Sequence, residues 1–250
     1  MKFIKITFLL LIFVLGCDDR LEVKDPNRQT TADSPFWINE TQALAGCDAI
    51  YNSLIIDGGY QRMTPALTDG RGDDMIADSP WLDLELVADF TIYTNSGPIS
   101  WVWGAYYQMI WRANQVLDNV PAITMNDELK KRILGQAYFL RGLAYFNLAN
   151  YYKIVPVVTT SAKGPEDYYP ATATEEELWA RIYADFEAAK DLLPVSYATV
   201  SGLDANQIGR ATKGAATGFL GKAYLYRGEW TKAKAEFDEF FTGSLQDVYA

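Results

Sequence analysis

The chain of 250 residues contains no histidine, and this absence excludes much of the chemistry that enzymes use. Histidine is the commonest general base, the partner of the nucleophile in Ser-His-Asp and Cys-His sites, and the ligand in the HExxH zinc motif. What remains is catalysis by a pair of carboxylates, as in glycoside hydrolases, and 32 acidic residues offer such pairs by chance alone. The composition therefore predicts a protein that is not an enzyme, with no catalytic residues and no cofactor.

Cysteine is scarce as well, since Cys17 and Cys47 are the two in the sequence. Cys17 is assigned to a lipid anchor below, which leaves Cys47 without a disulfide partner in an extracytoplasmic setting. We expect Cys47 to pack as a small, buried apolar side chain on a helix.

Basic residues are outnumbered by acidic ones, and the formal net charge is -10. Removal of Lys2 and Lys5 with a signal peptide lowers this charge to -12. An acidic chain repels phosphate backbones instead of releasing counterions from them, so nucleic acid is not an expected partner.

The amino terminus reads MKFIKITFLLLIFVLGC, with a basic start and an apolar run from Ile6 to Leu15. This run suits the core of a signal peptide and is too short to cross a bilayer, which needs about 20 residues. Val14-Leu15-Gly16-Cys17 resembles the bacterial lipobox, so residues 1–16 are predicted to be a lipoprotein signal peptide. The alternative is an ordinary signal peptide that happens to end near a cysteine.

Lipidation of Cys17 would anchor the mature chain in a membrane, because each buried methylene contributes about 0.8 kcal/mol and several acyl chains bind durably. Asp18-Asp19 is read either as an acidic export tag of surface lipoproteins or as part of a solvated tether. Residues 17–36 are rich in turn-forming residues and lack a periodic apolar face, which predicts a lipidated tether.

Apolar residues recur at helical spacing over most of residues 37–250, which predicts an all-α domain. The interruptions are an irregular segment from Asp57 to Asn95 and a polar loop from Thr159 to Ala173. Thr174 and Glu177 form a capping box that opens a helix. The predicted helices are Ile38–Ile56, Pro98–Pro121, Asn126 to about Ile154, Thr174–Leu193, Arg210–Tyr226 and Glu229–Phe241.

The last two predicted helices carry a repeat signature. Leu220-Gly221-x-x-Tyr224, followed by Ala233 and Phe237, fits the tetratricopeptide pattern, and Phe186, Ala189 and Pro194 fit a weaker copy. Small residues at Gly221 and Ala233 would let two helices approach closely while Tyr224 and Phe237 fill the seam. We expect Tyr138, Tyr145, Tyr224 and Phe237 to lie in the core of a curved scaffold of such helix pairs, with long irregular loop insertions.

Three segments together resemble one family: YYQMIWRANQVLDNVP (residues 106–121), GQAYFLRGLAYFNLANYYKIVPVV (135–158) and GRATKGAATGFLGKAYLYRGEWTKA (209–233). The specific elements are Arg112-Ala113-Asn114, Phe139-Leu140-Arg141 and Tyr145-Phe146, in this order behind a lipobox. This pattern is similar to that of the SusD-like, or RagB/SusD, outer-membrane nutrient-binding lipoproteins of Bacteroidetes. Members of that family are roughly twice this long, so the chain is expected to correspond to the amino-terminal half, with the carboxy-terminal half apparently absent.

The resemblance implies a lipid-anchored protein of the outer membrane that faces the cell exterior. Such a protein captures glycans or related nutrient fragments and delivers them to a SusC-like TonB-dependent transporter. Its expected partners are therefore an oligosaccharide or other nutrient, the transporter, and the outer membrane through the lipid.

Sugars are bound by flat aromatic faces and by planar amide, carboxylate or guanidinium groups. The irregular segment supplies both kinds, and the resembled family draws part of its ligand face from this region of the chain. The candidate ligand-binding residues are Trp81, Tyr93, Arg71, Asp73, Asp74, Asp83 and Asn95. Trp81 has an alternative role as a structural plug of the segment.

A metal site is not expected, because Arg71 stands where a calcium loop of the EF-hand type needs an oxygen ligand. Two other functions remain open. The chain could be a membrane-anchored tetratricopeptide scaffold that binds a protein or peptide, with exposed aromatic residues on its concave helix faces instead of its loops. A carboxylate-only glycosidase would instead need two acids at about 5 or 7–9 Å in a cleft.

Replacing Cys17 with Ala should leave the precursor uncleaved and without lipid, since the thiol is the acylated group. Metabolic labelling with a fatty acid, followed by gel electrophoresis, measures this directly. Cys47→Ala is the matched control and should be labelled as strongly as the unaltered chain. A labelled Cys17→Ala protein would contradict the lipobox assignment.

Overall fold

The computed structural model describes residues 36–76 and 78–242, and this part of the chain is almost entirely helical. The α-helices, numbered in chain order, are α1 (Glu40–Asn52), α2 (Met63–Thr68), α3 (Leu82–Ala88), α4 (Gly97–Asn119), α5 (Asp127–Tyr152), α6 (Glu175–Leu192), α7 (Lys213–Tyr226) and α8 (Trp230–Thr242). No β-strand occurs in the described ranges, where an isolated bridge pairs Pro156 with Thr172. The predicted all-α class is confirmed.

Side-chain caps open two of the long helices, α5 and α6. Asn126 accepts a hydrogen bond from the backbone N–H of Leu129 at 2.9 Å and opens α5. Thr174 and Glu177 form the predicted capping box of α6, with the two reciprocal bonds present. Each cap satisfies backbone donors that the first turn of a helix leaves without a partner.

The core is built from consecutive helices that pack in pairs: α4 on α5, α5 on α6, α6 on α7 and α7 on α8. Tyr145 is fully buried, Tyr224 is buried, and Tyr138 and Phe237 are half-buried against the same core. This succession of helix pairs is compatible with a tetratricopeptide-like arrangement. The curvature expected of a repeat scaffold stays a prediction.

The close approach of α7 and α8 is explained by Gly221. A Cβ at this position would lie 2.8 Å from Cε1 of Phe237, and Ala233 is buried in the same pair. A larger side chain at Gly221 would therefore overlap the ring that fills the seam.

Residues of the family-like motifs hold separate helices together. Arg112 on α4 caps the carboxyl end of α1, because its Nη1 donates to the Ala49 carbonyl at 2.7 Å and to the Ser53 hydroxyl at 3.0 Å. Asn114 faces the other way and donates from Nδ2 to the carbonyls of Val158 and Thr160. One turn of α4 thereby positions both the first helix and the chain that follows α5.

Arg141 on α5 completes this junction with a buried ion pair. Its Nη2 and Nε lie 2.7 and 2.9 Å from the carboxylate of Asp185 on α6, which Arg181 also contacts at 2.9 Å. Its Nη1 donates to the amide oxygen of Asn114 at 2.7 Å and to the Thr159 carbonyl at 3.1 Å. Buried charges are tolerated when opposite charges and hydrogen bonds satisfy them in this way.

The segment from Asp57 to Asn95 is less irregular than predicted. It contains a π-helical turn (Asp57–Gln61), α2, a 3₁₀ turn (Asp69–Arg71) and α3. Each of these elements has about two turns or fewer. An apolar residue therefore does not recur on one face often enough to indicate a helix in the sequence. The first helix is also shorter than the predicted Ile38–Ile56, because the chain turns after Asn52 at Ser53.

Cys47 is free and fully buried on α1, as predicted. Burial raises the pKa of its thiol to about 12, so the group stays protonated and inert at neutral pH. The predicted signal peptide (residues 1–16), Cys17 and most of the tether (17–36) lie outside the described residues. In the described ranges, each helix is too short or too polar to cross a bilayer.

Replacing Gly221 with Leu should lower the free energy of unfolding by about 1–3 kcal/mol, because the added side chain overfills the seam with Phe237. Gly218→Leu is the matched control on the same helix, since nothing lies within 4 Å of a Cβ there. Urea denaturation of both variants measures the difference. Equal stabilities would contradict the close packing of α7 on α8.

Candidate functional site

One candidate site is a surface patch built around two tryptophans, and it is called here the tryptophan patch. The ring centroids of Trp81 and Trp101 are 5.3 Å apart with an angle of 38° between the planes. Asp83, on the first turn of α3, accepts a hydrogen bond from the backbone N–H of Gly97 at the start of α4. This bond holds the chain before α3 against α4, so that the two indole rings meet.

The guanidinium of Arg62 adds a planar polar group to the patch. The Cζ atom of Arg62 lies 5.5 Å from the ring centroid of Trp81 and 5.8 Å from that of Trp101. Asp57 forms an ion pair with Arg62 and accepts from its Nε at 2.6 Å, and both side chains are about half exposed. The tryptophan patch therefore consists of Trp81, Trp101, Arg62, Asp57 and Asp83.

Gly58 makes this arrangement possible. A Cβ at Gly58 would clash with the backbone carbonyl of Trp101, so only glycine allows the π-helical turn to approach α4 this closely. The turn carries Asp57, and Arg62 follows directly after it. Close backbone contact at Gly58 thus brings the ion pair beside Trp101.

The structure brings some of the sequence-predicted residues together and leaves others apart. Trp81 and Asp83 belong to the patch, and Trp81 is half-buried against the core. Tyr93 and Asn95 are exposed in the chain just before α4, and Tyr93 is 65% exposed. These four residues precede or adjoin the start of α4.

Arg71, Asp73 and Asp74 are placed differently. The Nε of Arg71 donates to the Val87 carbonyl at 3.4 Å, and its guanidinium lies 5.1 Å from the ring centroid of Phe90. Asp73 and Asp74 are exposed in the turn after the 3₁₀ helix and form none of the hydrogen bonds or ion pairs described for the patch. Among the described residues, no three possible ligands of the Asp, Glu or Cys type converge to hold a metal ion.

A second candidate site is a groove between α4 and the chain that follows α5, and it is called here the aromatic groove. It encloses about 630 Å³, within the range of ligand pockets. Its floor is a stripe on α4, and its opposite wall comes from residues 156–170. The lining residues are Trp103, Tyr107, Ile110, Trp111, Asn114, Pro156, Val158, Thr160, Ala162, Asp167, Tyr168, Tyr169 and Pro170.

Hydrogen bonds to α4 and α5 clamp the near end of this wall. Tyr107 donates its hydroxyl proton to the Pro156 carbonyl at 2.7 Å. The hydroxyl of Tyr145 lies 2.8 Å from the Val158 carbonyl and accepts from the Val158 N–H at 2.7 Å. Burial raises the pKa of Tyr107 and raises that of Tyr145 to about 12, so both hydroxyls stay protonated at neutral pH.

The rim of the groove exposes large rings. Trp111 is 55% exposed on α4, while Tyr168 and Tyr169 are 64% and 91% exposed on the facing wall. Sequence reasoning missed this site because its wall was read as a polar loop and its floor as part of an ordinary core helix. The available signal was the spacing Trp103, Tyr107 and Trp111, which places the three rings on one face of α4.

Comparison with known proteins identifies the family. Residues 19–225 match the SusD-like family model described as "Starch-binding associating with outer membrane". SusD-like protein P2 of Formosa agariphila is 28% identical over 94% of this chain and 45% of its own length. A SusD-like protein of Bacteroides ovatus is 25% identical over 92% of this chain and 40% of its own length.

Solved structures agree with this match. A laminarin-binding SusD-like protein superposes with a TM-score of 0.71 and 31% identity, over 82% of this chain and 44% of that protein. A SusD superfamily protein of Bacteroides vulgatus has a TM-score of 0.71, 25% identity and the same two coverages. The chain belongs to the SusD-like family, and it spans less than half the length of these relatives.

Proposed function

We propose that this chain captures glycans at the tryptophan patch as the binding unit of a cell-surface lipoprotein. The protein is anchored through Cys17, with residues 1–16 as its signal peptide and residues 17–36 as its tether. It faces the exterior of the outer membrane and delivers bound oligosaccharides to a SusC-like TonB-dependent transporter. It binds the glycan without cleaving it, so it is not an enzyme.

Membership of the SusD-like family supports this proposal, because the description of the matching model names starch binding and association with the outer membrane. The structural neighbour at 31% identity is named as a laminarin-binding protein. The similarities therefore favour a glycan as the class of ligand. Which glycan this chain binds depends on the chemistry of its own site.

The observation that carries the proposal is the pairing of a partly exposed indole, that of Trp101, with planar charged groups. Trp101 is 43% exposed and lies against Trp81, with Arg62 near both rings and Asp57 bonded to Arg62. Indole faces match the C–H faces of sugars, and guanidinium and carboxylate groups bond to hydroxyls. The patch thus combines both elements of sugar recognition within one small surface.

Within this site, Trp101 is the principal platform and Trp81 is its support. Trp81 is half-buried against the core. Its buried part fills the segment as a structural plug, and its remaining surface supports the ring of Trp101 in binding. Tyr93 and Asn95 extend the surface as exposed neighbours in sequence, and Asp83 holds α3 against α4 within the patch. Arg71, Asp73 and Asp74 stay candidate ligand contacts beyond the patch.

Trp101→Ala should weaken oligosaccharide binding by about 1–3 kcal/mol, by analogy with bases stacked on aromatic side chains, and change stability little. Trp81→Ala should lower both binding and the melting temperature, because it also removes buried surface. Calorimetric titration with a panel of oligosaccharides, together with thermal unfolding, measures both quantities. Trp230→Ala, at an exposed tryptophan on α8, is the control and should bind normally.

The proposal is wrong if the unaltered chain binds no oligosaccharide of a broad panel. The assignment of the site alone is wrong if the chain binds a glycan and Trp101→Ala binds it with unchanged affinity.

A protein or peptide partner is the second candidate function, and one observation favours it. An apolar recess of about 710 Å³ is lined by Leu54, Ile55, Tyr60, Gln61, Phe139, Leu143 and Phe219, partly on the faces of α5 and α7. Exposed aromatic residues occur in both settings, with Tyr93, Tyr168 and Tyr169 in loops and Trp101, Trp111 and Trp230 on helices.

Ile55 offers a test of this alternative, because its side chain is exposed at the recess. If a peptide binds there, Ile55→Glu should abolish recovery of one defined protein after chemical crosslinking in cells, since a charge disfavours apolar contact. Ile208→Glu, at another exposed isoleucine, is the control. If the unaltered chain, Ile55→Glu and Ile208→Glu all recover the same amount of this protein, the recess is not a partner site.

A further inference from the structure

We propose that the aromatic groove is a second carbohydrate subsite, separate from the tryptophan patch, that takes neutral oligosaccharides with apolar ring faces. This inference rests on the proposed function, because it assigns the same class of ligand to another surface. The inference places a second glycan site on α4 and the chain after α5, and it restricts the ligand of that site to neutral glycans.

The floor of the groove has the length and chemistry for an extended ligand. Trp103, Tyr107 and Trp111 occupy positions i, i+4 and i+8 of α4, so their ring positions are spaced by about 6 Å over roughly 12 Å of helix. The centroids of Trp103 and Tyr107 are 4.8 Å apart, which confirms that these side chains adjoin. Trp103 and Tyr107 are partly buried against the core, and Trp111, one turn further along α4 and 55% exposed, is the ring of this stripe that a sugar unit can reach most freely.

The facing wall presents further rings at low entropic cost. Tyr168 and Tyr169 are strongly exposed, and they follow the 3₁₀ turn Pro165–Asp167. The bridge between Pro156 and Thr172 ties the two ends of this wall together. Tyrosine has two side-chain torsions, so ordering it on a ligand loses little entropy, and its hydroxyl serves as donor or acceptor.

The charge of the lining selects among glycans. Asp167 is the one charged residue that lines the groove within the described part of the chain, and its carboxylate accepts from the Lys163 N–H at 2.8 Å. No Lys or Arg belongs to that lining, so a sulfated or uronic-acid glycan would meet a like charge without a counterion. Neutral sugars are therefore favoured.

The polar groups of the floor are already engaged, which determines how a sugar is recognised. Asn114 bonds to Val158, Thr160 and Arg141, and Tyr107 bonds to Pro156. On the floor, recognition then depends mainly on ring faces, with the hydroxyls of Tyr168 and Tyr169 on the wall as hydrogen-bonding groups, and this favours pyranoses whose equatorial hydroxyls leave both faces covered by C–H groups. A neutral β-linked gluco-oligosaccharide has this form.

The test is calorimetric titration of the whole chain with a neutral β-gluco-hexasaccharide. Two classes of site are expected. Trp111→Ala and Tyr169→Ala should each weaken one class by about 10-fold or more, and Trp101→Ala should weaken the other class. Trp111→Phe keeps a ring and should retain most of the affinity, while Trp230→Ala should behave as the unaltered chain.

A second titration tests the predicted preference for neutral glycans. A hexa-uronate should bind the groove at least about 10-fold more weakly than the neutral hexasaccharide, and Asp167→Asn should narrow this difference, because it removes charge and keeps an acceptor for the Lys163 N–H. An unchanged selectivity in Asp167→Asn would overturn the assignment of a neutral ligand.

The remaining outcomes separate this inference from the proposed function. If Trp101→Ala loses all binding while Trp111→Ala and Tyr169→Ala bind normally, the groove is not a subsite and the proposed function stands. If the groove variants lose binding and Trp101→Ala does not, the groove is supported and the patch is wrong. If the groove variants alter binding of a hydrophobic dye but of no sugar, the groove takes an apolar ligand and the inference fails.

Discussion

The buried contact between Arg141 and Asp185 is the interaction on which the packing of the central helices and the aromatic groove depends. It joins α5 to α6, and the same guanidinium bonds to Asn114 on α4 and to the Thr159 carbonyl. Two charges removed from water are costly unless their partners satisfy them fully, so this geometry admits few alternatives. These bonds hold α4 and the chain after α5 at a fixed separation. The aromatic groove is the space between them.

The division of roles along α4 follows from the helix period. Trp101 and Trp103 are two residues apart, about 200° around the helix axis, so they face opposite surfaces. Trp101 enters the tryptophan patch, whereas Trp103 begins the stripe that continues to Trp111. A single rigid helix therefore carries aromatic platforms for both candidate subsites, and rigid elements hold binding side chains more accurately than loops.

The residues that carry the family resemblance have structural tasks. Arg112 caps α1, Asn114 and Arg141 form the buried junction, and the hydroxyl of Tyr145 fixes the chain at Val158. The proposed ligand contacts are mainly other residues, namely exposed rings on α4 and side chains in the segments between helices. A motif that identifies the family thus indicates its scaffold, and it does not locate the glycan.

Much of this protein was determined by its sequence alone. The helical spacing of apolar residues gave the all-α class and the main helices, because that spacing expresses local geometry. The capping box at Thr174 and Glu177, the seam at Gly221 and the burial of Cys47 were predictable for the same local reason. Trp81 and Asp83 were found as candidates because aromatic and acidic residues in an irregular segment are chemically conspicuous.

Only the tertiary structure decided which residues meet. Arg62 and Trp101 join Trp81 through the close approach of Gly58 to α4, a contact between segments about 40 residues apart for which no local pattern exists. The aromatic groove likewise needs α4 and the chain after α5 to face each other, held by the hydrogen bonds of Asn114 and Arg141. Composition shows that aromatic residues are present, but their distances and exposure are set by packing between distant segments, and binding depends on those distances.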